Sequence, residues 1–348
     1  MILGIFVINS VDKTYTFKQG IGVALAFVIM IIVSFIDYHF VAKFAVPIYM
    51  AGIVLLMLVL VGGTRVNGSR RWFTIAGLTF QPSELAKIIM IIFMAVLLSK
   101  LKEDEKVNTI RGIVGFVLFW AIPIGLIYLE PDLSTLLCLT MVLFTMLFLA
   151  GLSYKLIGIA LLILIPTFSL FIWYVQKPDQ KLLYEHQVTR IMSFINPSEY
   201  EDETRQQENS VMAIGSGQLM GKGLNNESGA TTSSTNIISE QQTDFIFSAV
   251  GESFGFFGSV IIIGIILLIV LQCIRAGRHA RDDVGSFMAW GVGCLLGYQS
   301  FINIGVATKI LPNTGIPLPF ISYGLTSLVS LAVGIGLVLN ISLQKRRY

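Results

Sequence analysis

Residues 239–273 read SEQQTDFIFSAVGESFGFFGSVIIIGIILLIVLQC. From Phe245 to Cys273 the only charge is Glu252, and a run this long and apolar reads as a membrane-spanning helix. Charge is expensive in lipid, so Glu252 is a functional-site candidate by default. Asp244, at the mouth of the run, is the second candidate: an acid at a membrane surface suggests chemistry on a lipid-borne substrate. Its structural alternative is an ordinary helix start shared with Thr243, since free amides and the helix dipole favour acids there.

The rest of the chain has the same character. Of 348 residues 55% are hydrophobic and 13% charged, and the mean hydropathy is +0.78, which excludes a soluble globule. The predicted fold class is an all-α polytopic membrane protein forming a single domain over residues 1–348. Apolar stretches fall at 20–36, 44–61, 84–98, 112–128, 133–150, 156–175, 245–272, 286–306 and 323–343. Residues 1–8 add a tenth, read as a short or truncated first helix, because at ~1.5 Å rise per residue it covers only about a third to a half of a bilayer. The expectation is nine to ten transmembrane helices, with a large extracellular loop, 176–243, between helices 7 and 8.

Orientation follows from Lys and Arg in the short loops. Arg275, Arg278 and Arg281, the segment 100–111 and the tail Lys345, Arg346, Arg347 share one face, which is predicted to be cytoplasmic. The outer face then carries 62–83, 130–132, 176–243 and 307–322, with the C-terminus inside. Cys138, Cys273 and Cys294 lie in or at the ends of apolar spans, so neither an outer disulfide nor metal-ligand spacing is expected. A net charge of +3 says little about partners; membrane lipids are expected and nucleic acid is not.

The outer loop GGTRVNGSRRWF breaks the positive-inside pattern, with Arg65, Arg70 and Arg71 beside Trp72. Pairing with lipid phosphates and an interfacial aromatic belt explain it structurally. As a site it reads as an anion clamp, since the planar guanidinium binds phosphate bidentately. The run continues into QPSELAK, where Pro82 suits a first helical turn. Glu84 and Lys87, three apart, share a face. A lysine inside a span needs a partner or water, so an ion pair and a polar cavity are both expected, and they are compatible.

In the tight turn Glu130, Pro131, Asp132, the proline blocks continuation of one helix and Asp132 is placed to cap the next. The two carboxylates are also candidates for a cation or a sugar hydroxyl. The segment 176–243 is long enough to be either functional or disordered. It carries Asp202, Glu203, Arg205 and Glu208, then AIGSGQLMGKGLNN and a Ser/Thr-rich patch over 228–239. Gly215, Gly217, Gly221 and Gly223 around Lys222 resemble a phosphate-cradling nest. Their spacing is not that of a nucleotide-binding loop, and the stretch reads as a turn. Pro312, Pro317 and Pro319 preclude a regular helix near 307–322, so that segment is predicted to be extended or re-entrant and buried in protein. There Ser322 and Tyr323 either cover a cavity or touch substrate.

Taken together, TDFIFSAVGE, QPSELAK, RRWF, EPDLST, AIGSGQLMGKG and TGIPLPFISYG resemble the SEDS family (shape, elongation, division and sporulation; the RodA-, FtsW- and SpoVE-like proteins) across essentially the whole chain. The resemblance implies a mostly ten-helix peptidoglycan glycosyltransferase of the bacterial cytoplasmic membrane. Such an enzyme polymerises lipid II at the outer face for elongation and shape or for division, together with a class B penicillin-binding protein. It also implies that the essential acid of the large outer loop is Asp244, that the polar pair of the fourth helix is Glu84 and Lys87, that the basic–aromatic pair is Arg71 and Trp72, and that the acidic turn is Glu130 and Asp132. The chain departs from the family pattern at Leu325, where a second glycine is usual, at Ser253 after Glu252, and in its first helix.

A sugar on a lipid pyrophosphate already has a good leaving group, so one base and a positive clamp suffice, unlike the two carboxylates of glycoside hydrolysis. Asp244 is the expected base for the acceptor hydroxyl, with inversion at the anomeric carbon. Arg71 and Lys87, with a divalent cation (Mg or Mn) near Glu84 or Asp132, are expected to stabilise the departing pyrophosphate. Lys222, Glu252 and Ser322 complete the candidate substrate contacts. Two other readings use the same residues: a flippase whose polar path is lined by Glu84, Lys87 and Glu252, and a non-catalytic scaffold. Transporters often repeat a half, and no repeat relates 20–150 to 155–343.

Overall fold

The computed structural model describes residues 1–66, 69–75, 78–177, 180, 182–224, 238 and 240–344. The basic tail Lys345, Arg346, Arg347 and, Ile238 apart, the Ser/Thr-rich patch over 228–239 lie outside the described residues. So do the side chains of Arg65, Asp202 and Glu203.

Helix α1 (Ile2–Val11) runs into α2 (Lys13–Phe35) through Asp12, whose side chain accepts from the Thr14 amide and starts the second helix. Next come α3 (Tyr38–Lys43), α4 (Ala45–Gly62) and three short strands, β1 (Thr64–Val66), β2 (Ser69–Ile75) and β3 (Leu78–Phe80). Four long helices follow: α5 (Pro82–Glu103), α6 (Ile110–Leu129), α7 (Leu133–Leu149) and α8 (Tyr154–Val175). Then α9 (Glu185–Ile195) and α10 (Glu201–Ser216) precede α11 (Ile246–Arg278), α12 (Asp283–Ala307) and α13 (Leu325–Leu343).

Every apolar stretch read from the sequence coincides with a helix. By length and composition, α2, α4, α6, α8, α11 and α13 qualify among the described residues as able to cross a membrane. The helical class therefore holds, with two additions. Residues 62–83, expected as a plain loop, contain an antiparallel sheet ordered β1-β2-β3, and 176–243 contains α9 and α10. Asn-Gly and Ala-Gly pairs between short β-branched and aromatic runs are the hairpin signal in TRVNGSRRWFTIAGLTF.

The core sits among α5, α7 and α12. Ile88, Ile91, Met94 and Leu98 of α5 meet Leu139, Val142 and Met146 of α7 and Phe287, Met288 and Leu295 of α12, all buried. Small residues let the helices approach: a β-carbon on Gly291 would stand 2.6 Å from Ile91 and 2.8 Å from Met146. At the periphery α8 buries only Val175, which suits a lipid-facing helix. One end of the bundle is tied by Lys102 to Asp283 (2.7 Å) and by Tyr38, whose hydroxyl donates to Asp282 and whose amide donates to Asn340 Oδ1. The other end gathers the sheet, the 130–132 turn, α9, the start of α11 and the segment 308–324.

Helix α11 is broken at Gly255 (φ 65°, ψ −163°). The backbone groups released by the break are taken up by the GQLMGKG turn. Lys222 and Gly223 amides donate to the Glu252 and Ser253 carbonyls (2.9 Å each), and Phe256 and Phe257 amides donate to Gln218 and Leu219 carbonyls (2.8 and 3.2 Å). In lipid such groups must be satisfied within the protein. The glycines make this possible: a β-carbon on Gly217 would stand 2.0 Å from the Gly251 carbonyl, and one on Gly221 2.3 Å from that of Ser253. Gly255→Ala is expected to cost about 1–3 kcal/mol in backbone strain alone, and more through overlap with Gly221 N at 2.3 Å. Gly264→Ala, in the same helix with nothing within 4 Å, should be near neutral; thermal unfolding of the two variants in detergent compares them.

Candidate functional site

Strand β2 pairs with β1 through Thr64–Trp72 and with β3 through Phe73–Phe80, and this holds Arg71 and Trp72 above the bundle. Arg71 turns toward the acidic turn, but its hydrogen bonds go to backbone. Nε donates to the Glu130 carbonyl (2.8 Å) and Nη2 to that of Pro131, while Nη1 lies 3.9 Å from Asp132 Oδ1. Burial weighs against the guanidinium's charge and Asp132 supports it. Gln187 of α9 donates to the same Pro131 carbonyl (3.0 Å).

The two carboxyls of the turn differ. Asp132 caps α7, as its position predicts: Oδ1 accepts from the Thr135 amide (3.1 Å), and Oδ2 from Thr135 Oγ1 (2.9 Å) and Gln81 Nε2 (3.1 Å). Glu130 is fully buried, and neither of its carboxyl oxygens has a hydrogen-bond partner among the described residues. Burial, with the Asp132 charge adding and Arg71 opposing, pushes Glu130 up to about 9. Near pH 7 this favours its neutral form, and Asp132 foremost, with Asp244, balances Arg71.

Helix α5 starts with Pro82 in its first turn and Glu84 beside it. Lys87 Nζ meets Glu84 Oε1 at 2.7 Å, and both side chains are buried. The pair and the cavity coexist: Glu84 lines a cavity of about 320 Å³ and its Oε2 has no partner, whereas Lys87 lies behind it.

Asp244 opens onto the same cavity, whose wall also includes Arg71, Trp72, Gln81, Arg190, Glu240 and Tyr323. It is not a helix cap. The N-cap of α11 is Phe245, and no side chain caps that end. The backbone around Asp244 is fixed instead by donors from other segments. Asn303 Nδ2 donates to the Asp244 carbonyl (2.8 Å), Ser322 Oγ to that of Thr243 (2.7 Å), and the Tyr323 amide to that of Gln242 (2.9 Å). Burial pushes the Asp244 carboxyl up to about 6, with Arg190 holding it down and Glu240 pushing it further up. A carboxylate near 6 is a better proton acceptor than a solvated one and is still mostly ionised at neutral pH.

The structure thus brings Arg71, Trp72, Glu84 and Asp244 to one cavity, with Lys87, Glu130 and Asp132 in the layer behind. Three candidates stand apart from it. Lys222 pairs with Glu252 (2.9 Å) beside the break in α11, where the glycine-rich turn packs on helix backbone instead of cradling an anion. Ser322 is buried and its hydroxyl is engaged twice, donating to Thr243 and accepting from the Leu318 amide (2.7 Å). Leu325 belongs to the cavity wall and packs on Gly22. Ser253 contributes its carbonyl to the stitched break.

Arg190, Gln81 and Glu240 escaped the sequence reading. For Arg190 a signal existed: it is a cation on the predicted outer face, within the amphipathic run HQVTRIMSF. Of the carboxylates expected near a cation, Glu84 faces the cavity with Oε2 lacking a hydrogen-bond partner among the described residues, and Asp132 accepts hydrogen bonds from Thr135 and Gln81; no group of three or more metal-ligating side chains occurs among the described residues.

Comparison with known proteins agrees with this architecture. The family model described as "Cell cycle protein" (FtsW, RodA, SpoVE) matches residues 3–347. The probable peptidoglycan glycosyltransferase FtsW of Geobacter metallireducens is 35% identical over 334 residues, covering 94% of this chain and 85% of that protein. Its namesake from Acinetobacter baylyi is 32% identical, covering 94% and 79%. A chain from a peptidoglycan synthase complex superimposes with a TM-score of 0.80 at 26% identity, covering 99% of this chain and 95% of that one. The rod shape determining protein RodA of Thermus thermophilus does so with 0.71 at 26% identity, covering 99% and 94%. With its helices, motifs and cavity in this order over nearly its full length, the chain belongs to the FtsW/RodA/SpoVE family.

Proposed function

We propose that this protein is a peptidoglycan glycosyltransferase that polymerises lipid II at the outer face of the cytoplasmic membrane, in company with a class B penicillin-binding protein. The reading rests above all on one observation: a half-buried carboxylate, Asp244, faces a cavity that also holds Arg71 and Arg190. The relatives named above supply the reaction class. The acceptor sugar's hydroxyl attacks the donor's anomeric carbon as the bond from that carbon to the pyrophosphate oxygen breaks. The proton passes to Asp244, the pyrophosphate leaves with the bonding electrons, and the configuration inverts. The guanidinium of Arg71 carries a charge offset mainly by carbonyl dipoles, which leaves it able to stabilise the leaving group.

The flippase reading finds less support. Beneath Lys87, helix α5 buries Ile88, Ile91, Met94 and Leu98 in the apolar core, so this face of α5 lends a sugar no polar lining. The outward orientation follows from the basic loops around Arg275, Arg278 and Lys102, which lie at the end opposite the cavity.

Asp244→Asn should abolish glycan-strand formation from purified lipid II by the solubilised protein with its penicillin-binding partner. Because burial raises the carboxyl from 3.8 to about 6, the ionised form is the destabilising one in the folded state. The Asn variant should therefore melt no lower than wild type at pH 7, and equal strand formation by both would remove Asp244 from the chemistry. In wild type the rate should fall as pH drops through about 6, since the base is lost on protonation. Lys87→Met should cost about 3–5 kcal/mol by leaving Glu84 uncompensated. Glu84→Gln with Lys87→Met should restore the melting temperature but not polymerisation, and a fully active double variant would make the pair purely structural.

A further inference from the structure

Gly315 occupies an unusual place in the cavity wall. Its φ is +76°, and a β-carbon built on it would stand 3.2 Å from Asp244 Oδ2 and 3.3 and 3.7 Å from the two terminal nitrogens of Arg190. The carboxylate and the guanidinium therefore flank the same bare α-carbon from two elements far apart in sequence. Helix α9 supplies Arg190, and the residues leading into α11 supply Asp244. The guanidinium is aimed by the chain that carries the glycine, since Nη1 donates to the Thr314 carbonyl (3.2 Å). That carbonyl also accepts from Ser134 of α7. The Asp244 side is fixed independently by Asn303, which donates to the carbonyls of both Asp244 and Ile316 (2.8 Å each). Thr314, Gly315 and Ile316 thus form a short rail whose carbonyls are gripped on either side by the donors that place the two charged groups.

We infer that Arg190 is the positioning residue for the Asp244 carboxylate, acting through its charge, and that position 315 is bare so that the two groups face each other across the rail at the cavity wall. This deepens the transferase reading and rests on it for its chemical meaning. A base that must accept a hydroxyl proton needs both a fixed direction and a charged resting state, and a nearby cation provides both. The other charged groups facing Asp244 leave that task to Arg190. Glu240, on its own segment, and Asp132, from the turn before α7, both oppose its ionisation. Arg71 on β2 is already bound to the carbonyls of the acidic turn. Arg190 is the largest influence favouring the ionised form. Division of labour follows: Arg71 serves the leaving group and Arg190 the base.

The test titrates Asp244 directly in the solubilised full-length protein, using infrared carboxyl bands identified by difference against Asp244→Asn, without substrate. Arg190→Gln should move the midpoint upward by about one pH unit, the low end of the effect of an opposite charge at close range. Arg190→Lys should bring it most of the way back. Gly315→Ala leaves Arg190 intact but forces a methyl between the groups, and should move the midpoint in the same direction. The acid limb of polymerisation should move with the titration in each variant. A midpoint unchanged in both Arg190→Gln and Gly315→Ala overturns the assignment, as does a loss of rate that is uniform across pH. Wild type that titrates as expected but forms no strands from lipid II would sink the transferase reading while the pairing itself stands.

Discussion

Wherever the chain leaves a helix at the cavity end of the bundle, carbonyls lose their intrahelical partners in a setting where water cannot replace them. The structure meets this constraint with side-chain donors from distant segments. Arg71 and Gln187 take the carbonyls of the 130–131 turn, and Gln207 and Ser210 those of Val306, Leu311 and Ala307. Asn303 takes those of Asp244 and Ile316, Gln19 that of Ser322, and Ser322 that of Thr243. Each bond ties together segments distant in sequence, so satisfying the backbone and assembling the cavity are the same event. Many polar residues that look like site candidates are in fact this framework.

The same economy shapes the electrostatics. Binding a buried guanidinium to carbonyl dipoles keeps its conformation without neutralising its charge, whereas a close bidentate carboxylate would have done both. Holding Glu130 in its neutral form has a like effect, removing one anion from the layer behind Arg71. The cavity therefore brings two guanidiniums, Arg71 and Arg190, together with the carboxyls of Glu84, Glu240 and Asp244, of which burial raises Asp244; this suits a reaction that separates a proton from a pyrophosphate.

The apolar helices were legible as apolar runs, unlike the polar α9 and α10, and so was the Asp132 cap, because an acid one residue before a helix has a local mechanism. The Glu84–Lys87 pair was legible for the same reason, being three residues apart on one helix. The partners of Lys222, Glu252 and Ser322 were not legible because tertiary contacts set them. Nothing local says that a glycine-rich turn will lie on a helix broken forty residues later, or that a serine hydroxyl will be used by backbone on both sides. Arg190 stayed hidden because its meaning depends on Gly315, more than a hundred residues away, and a lone glycine in a proline-rich segment carries no sign of what it lets through.

The stitched break in α11 also constrains how this chain can be recombined with its relatives. Residues 217–223 and 251–257 share four backbone hydrogen bonds and approach more closely than any β-carbon allows. They behave as one module although they are separate in sequence. A chimera that exchanges the outer segment alone, with a crossover between them, would place one parent's turn on the other's helix and lose the fit. Crossovers that keep both stretches from a single parent preserve it, which makes 217–257 the smallest unit that can be exchanged without parting them.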